Sequence, residues 1–196
     1  HSVASGPAGR IYIGDMAGRI RVIDPLTGLI STYAGTGKSG FSGNGQLATK
    51  AQIGCASAID FDGSGNLYFS DLTQHVIRKI DSTGIITTIA GTGKPGFSPD
   101  GTIAIKASLF KPMGIAVKND GTVFFSDSRN NCVRSIGKDD SLITVAGSNV
   151  PGDSGNGVIA TEARLNQPTG LSLFDENTLL ISDHYNNRIK AVKLRP

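Results

Sequence analysis

The chain has 196 residues, 26 of them glycine and none tryptophan, with 38% hydrophobic residues and 18% charged; that is enough for one domain with a sizeable core and too few charges for a disordered chain. Nineteen Lys and Arg against 16 Asp and Glu give a formal charge of +3, far from the basic loading of a dedicated nucleic-acid binder. No apolar run approaches the roughly 18 residues that span a bilayer, and two cysteines, Cys55 and Cys132, are too few for a disulfide framework.

Taken from the start, HSVASGPAGR (1–10) has no Met and no apolar signal core, so it reads as an internal or processed start. Within it SVAS (2–5) is a weak strand. IYIGDMAGRIRVID (11–24) follows: a β-rich run, Asp15, a polar turn and a second β-rich run. The same arrangement returns as LYFSDLTQHVIRKID (67–81), VFFSDSRNNCVRSIG (123–137) and LLISDHYNNRIKAVK (179–193). Asp15, Asp71, Asp127 and Asp183 lie 56 residues apart, and the same period relates Ala34-Gly35, Ala90-Gly91 and Ala146-Gly147. A fixed period of this length marks a repeat architecture. The first unit is one residue short after Asp15 and regains it at 24–28, an indel confined to turns that leaves strand register intact.

The third unit shows the pattern best. Strand A is expected at 113–118, strand B at 122–127, strand C at 132–137 and strand D at 141–147. Short runs rich in Val, Ile and Phe, separated by Asp-Gly or Asn-Asn turns, predict an antiparallel meander. Four strands per unit at a fixed period predict an all-β β-propeller, because a lone four-stranded sheet would leave two apolar faces wet. Four blades are expected, at 1–35, 53–91, 109–147 and 165–196. Long inserts at 34–52, 90–108 and 146–164 join strand D to the next strand A, with glycine turns and an Ala-rich end suited to one helical turn.

These residues resemble the NHL repeat family. The likeness rests on Pro112 to Val117 and Pro168 to Leu173 in strand A, Gly65 to Asp71 and Gly121 to Asp127 in strand B, and Asn186 to Lys190 after the last Asp. The insert is similar to the Gly-Phe-Ser-Gly insert of bacterial-type members. The resemblance implies a propeller that commonly closes with six blades, roughly 336 residues at this period. The first strand A is weak and the last unit lacks strand D, so the chain reads as an arc of a larger ring; exposed blade faces would then favour self-association.

Candidate chemistry is sparse. The four aspartates could ring a metal or a substrate, but each is expected to cap its B–C turn by accepting backbone N–H groups. Peptidyl-amidoglycolate lyases, which resemble these propellers, gather histidines from several blades on zinc. Here only His75 stands at that register, opposite Asn131 and Asn187, and one imidazole does not make a three-ligand site. GTGKS (35–39) lacks the spacing and the following helix of a P-loop, and it recurs as GTGKP and GSNVP. No nucleophile motif appears. Cys55 and Cys132 are expected as packed free thiols. No catalytic residue, metal or cofactor is therefore expected.

In a propeller the D–A inserts and B–C turns share one face. The segments 34–56, 90–112 and 146–168, which hold the inserts and the residues up to strand A, carry a net +3, concentrated in the first two. Loops on a rigid scaffold are where binding residues collect, so Lys38, Phe41, His75, Lys94, Phe97, Arg129, Asn130 and Tyr185 form the expected contact set for a protein or glycan. A binding or scaffold role ranks first. A propeller enzyme of the amidoglycolate lyase or lactonase type ranks second, and an RNA-binding propeller, which needs a more basic face, third. The sequence leaves the compartment open, with an extracellular or cell-surface setting slightly favoured.

Overall fold

The structure is a computed structural model describing residues 2–137, 139–154 and 157–194. Sixteen strands form four antiparallel sheets. Sheet one holds β1 (Ser2–Ser5), β2 (Ile11–Gly14), β3 (Ile20–Ile23) and β4 (Ile30–Ala34) in that order. Sheet two holds β5 (Gln46–Leu47), β6 (Ala56–Phe61), β7 (Leu67–Asp71), β8 (Val76–Ile80) and β9 (Ile85–Ala90), in the order β5-β9-β8-β7-β6. Sheet three holds β10 (Pro112–Val117), β11 (Val123–Asp127), β12 (Cys132–Ile136) and β13 (Leu142–Ala146). Sheet four holds β14 (Pro168–Asp175), β15 (Thr178–Asp183) and β16 (Arg188–Lys193). Successive sheets stack: β6 packs on β1 and β2, β10 on β6 and β7, and β14 on β10 and β11. The arrangement is a four-blade β-propeller fold. Among the described residues no helix is long and apolar enough to cross a membrane.

Burial follows from the stacking. Every residue of β7 and of β11 is buried, because both faces of a central sheet meet a neighbour. In β1 and β14 burial largely alternates, with Val3 and Phe174 turned out to water. Three apolar layers result, around Tyr12, Ile53 and Phe69, then Ile77, Leu109 and Phe125, then Phe124, Val133 and Ile181. Each such side chain contributes about 1.5–3 kcal/mol on full burial.

Short hairpins set the register. Asp62 Oδ1 accepts the N–H groups of Ser64 and Asn66 (each 2.9 Å), Asp81 those of Thr83 and Ile85, and Asp175 that of Asn177. Carboxylates in these turns substitute for missing backbone acceptors. The inserts do more than loop. Residues Gln46 and Leu47 pair with Ile86 and Ile85, so the first insert adds an outer strand to the next sheet, and the second makes a single bridge, Ile103 to Ser141, at the matching edge. The Ala-rich ends form 3-10 turns at Ala48–Lys50 and Ala104–Lys106.

Candidate ligand-binding face

The repeated Ser-Asp pair explains how one face is built. The serine reaches forward: Ser70 Oγ donates to the Met113 carbonyl, and Ser126 Oγ to the Thr169 carbonyl at 2.9 Å, each in the next blade's strand A. Gly114 stands at that junction, where a Cβ would collide with the Thr169 carbonyl. The aspartate reaches back to the end of its own blade's insert. Asp71 accepts the Gly54 N–H, Asp127 the Phe110 N–H and Asp183 the Asn166 N–H, all at 2.7 Å. Turn capping is part of the same job. Asp15 caps its turn through the N–H groups of Ala17 and Arg19, and Asp71 accepts that of Gln74. Asn130 and Asn186 donate to Asp127 and Asp183 at 2.8 Å. Burial pushes the carboxyls of Asp71 and Asp127 up to about 6 against these bonds.

Two fully buried arginines hold the inserts. Arg78 donates to the carbonyls of Gln52 and Ser42 and lies 5.5 Å from the centre of the Phe41 ring. Arg134 donates to the Ser98 carbonyl and to Asp100, and lies 5.5 Å from the Phe97 ring. In the last repeat the same two positions are Lys190 and Asp153, which form an ion pair at 3.5 Å. A cation over an aromatic ring and a cation beside a carboxylate are alternative ways to seat a buried positive charge. Sequence reading missed this clamp because its partners lie 37 residues apart. The joint change of Phe to Asp and Arg to Lys at the matching positions was the available signal.

The predicted contact residues divide by exposure. Lys38, Lys94, Arg129 and Tyr185 are exposed, with Tyr185 edge-on to His184 at 4.9 Å. Phe41 and Phe97 are 42% and 46% exposed, each with an arginine over its ring. Phe41 also lies against Gly93 of the next insert. Asn130 is buried and donates to Gly96 of the adjoining insert at 2.8 Å. His75 is half-buried. Its Nδ1 accepts the Lys111 N–H (3.1 Å), as Asn131 Oδ1 accepts the Gln167 N–H (3.0 Å), so this position staples one blade to the next. Burial and Lys111 lower the His75 pKa, favouring the neutral ring. Among the described residues no three His, Cys, Asp or Glu side chains are grouped to hold a metal. Cys55 and Cys132 are free and buried; burial pushes the Cys132 thiol up to about 12.

Comparison with known proteins agrees with this fold. The chain is 32% identical over 151 residues to Protein SUPPRESSOR OF QUENCHING 1, chloroplastic, from Arabidopsis thaliana, covering 68% of this chain and 14% of that protein. It is 28% identical to human Teneurin-1 over an alignment of 221 positions, covering all of this chain and 8% of that protein. The chain therefore spans a small part of the relatives it matches. Among solved structures, an auxiliary nutrient binding protein from Bacteroides thetaiotaomicron superposes with a TM-score of 0.73 at 24% identity, over 97% of this chain and 47% of that one. A catalytically inactive virginiamycin B lyase from Staphylococcus aureus, solved with quinupristin, gives 0.59 at 18% identity, over 98% and 52%. Residues 165–191, which hold strands A to C of the last blade, match the family model of the NHL repeat.

Proposed function

We propose that this chain is a non-catalytic recognition unit, a sensor or scaffold domain, that binds a protein or glycan through the face formed by its inserts and B–C turns. The unit is one propeller segment with blades at 1–35, 53–91, 109–147 and 165–196, inserts of the bacterial NHL type, and a place in a six-bladed ring. Lys38, Lys94, Arg129 and Tyr185 make direct contacts, Phe41 and Phe97 offer their exposed ring surface, and His75 and Asn130 hold the loops in place.

The observation that carries this reading is the arginine clamp. Arg78 and Arg134 lie over the rings of Phe41 and Phe97, which remain nearly half exposed in the same inserts as the exposed Lys38 and Lys94. Aromatic surface held rigid beforehand lowers the ordering cost of association. The likeness in fold to an auxiliary nutrient binding protein of Bacteroides thetaiotaomicron is in keeping with it. The test is an arrayed panel of glycans and extracellular protein domains probed with the wild type and with a Lys38→Ala, Lys94→Ala, Tyr185→Ala triple variant. A ligand bound at least about tenfold more weakly by the variant supports the reading; equal binding removes it.

The second reading is an enzyme segment of the amidoglycolate lyase or lactonase type, favoured by the likeness in fold to virginiamycin B lyase. Stoichiometric zinc or calcium in the purified protein would favour it over the first.

A further inference from the structure

The wedge between sheets one and two and the wedge between sheets two and three are built from residues 56 apart, yet they are filled differently. In the first, the Tyr12 ring meets Tyr33 edge-on at 4.9 Å and Phe61 at 4.8 Å, so three rings close the gap. Burial, then Tyr12 and Asp81, push the Tyr33 phenol up to about 12, so its hydroxyl sits in the field of a carboxylate from the C–D turn of the next blade. In the second wedge Tyr68 keeps the place of Tyr12, but Ile89 stands for Tyr33, Val117 for Phe61 and Gly137 for Asp81. Two rings and a carboxylate are gone. A groove of about 610 Å³ opens there, lined by Tyr68, Ile89, Ile105, Gly121, Gly137 and Asp140. Lys79 leans over the Tyr68 ring, its Nζ 5.3 Å from the centre, without closing the space. Ile105 is 54% exposed, where the other two inserts carry Thr49 and Thr161.

We propose that this groove binds a small phenolic compound, whose hydroxyphenyl ring takes the place that Tyr33 holds one blade earlier. Apolar walls with a few polar groups suit such a ligand, and the volume lies in the range of small-molecule sites. Ile89, Ile105 and Val123 supply the apolar surface. A ring set against Tyr68 gains the aromatic contact that Tyr33 gives Tyr12, an arrangement that contributes beyond area burial alone. Asp140 belongs to the same C–D turn as Gly137 and lines the groove, so it offers the phenol hydroxyl the carboxylate that Asp81 supplies in the first wedge. A phenol is uncharged at neutral pH and donates to such an acceptor without needing a counter-charge. The volume leaves room for substituents beyond the ring. The groove lies beside the A–B and C–D turns, away from the insert face, and does not depend on the reading of that face.

The test titrates the 196-residue chain with para-cresol and, separately, with toluene, read by amide nuclear magnetic resonance spectra. With para-cresol, saturable shifts are expected at Ile89, Ile105, Gly121 and Gly137. Its affinity should be about threefold or more above that of toluene, which lacks the hydroxyl. Ile89→Tyr puts the ring of the first wedge into the second; it should weaken para-cresol binding about tenfold or more and raise the unfolding temperature. Ile105→Thr, at a half-exposed position where folding is not at stake, should weaken binding about threefold or more. The proposal is overturned by shifts that do not saturate or that lie elsewhere. Equal affinity for toluene, or binding that neither Ile89→Tyr nor Ile105→Thr weakens, also overturns it.

Discussion

Asp71 and Asp127 combine complete burial with the work of tying an insert to its blade, and that combination has a pH signature. Burial raises both carboxyls from 3.8 to about 6. The folded chain therefore holds protons that the unfolded chain has released between about pH 4 and pH 6. Their stabilisation is full below about pH 4 and is lost as the pH rises through 6. Urea unfolding of the wild type minus that of Asp127→Asn should fall across this window. A difference that is flat or rises there would mean that the hydrogen bonds, not burial, govern the group. Cys132, with its thiol pushed up by burial to about 12, should react with a disulfide reagent only after unfolding.

At the level of elements, the strands are legible in the sequence because each unit repeats the same period-two runs between Asp and Gly turns. Strand B of the third unit, expected at 122–127, is observed at Val123–Asp127, and strand D, expected at 141–147, at Leu142–Ala146. The weak SVAS stretch is also a strand, held by pairing with β2. What was not legible is where the inserts go. Gly45 to Leu47 reads as turn-forming, yet becomes an edge strand once Ile85 and Ile86 offer free backbone groups from the next blade; tertiary context overrides local propensity. The contact of Phe41 and Phe97 with Arg78 and Arg134 was likewise hidden, because 37 residues separate the partners. Arg134→Ala removes the bond to the Ser98 carbonyl and the pair with half-exposed Asp100, and should cost about 1–3 kcal/mol, the range for leaving a buried acceptor unpaired. It should also speed amide exchange across 96–103. Exchange unchanged in that insert would show that the clamp does not hold it.

Across the whole molecule, stability is unevenly shared between central and end sheets. Ile77 and Ile189 occupy the same repeat position, one sealed between blades and the other in water. Ile77→Asp places an unpaired carboxylate in the core and should abolish cooperative unfolding or lower stability by several kcal/mol. Ile189→Asp should change it by less than about 1 kcal/mol. Similar losses from both would contradict the stacking described, in which only inner faces carry the core. Thermal unfolding followed by circular dichroism separates the two outcomes.

The recognition face is tested most directly by amide hydrogen exchange with and without the ligand selected on the array. Slowed exchange is expected at residues 36–44, 92–99, 128–130 and 184–187, where the inserts and B–C turns converge. Protection confined instead to the opposite turns, residues 62–66, 81–84, 119–122 and 175–178, would contradict it.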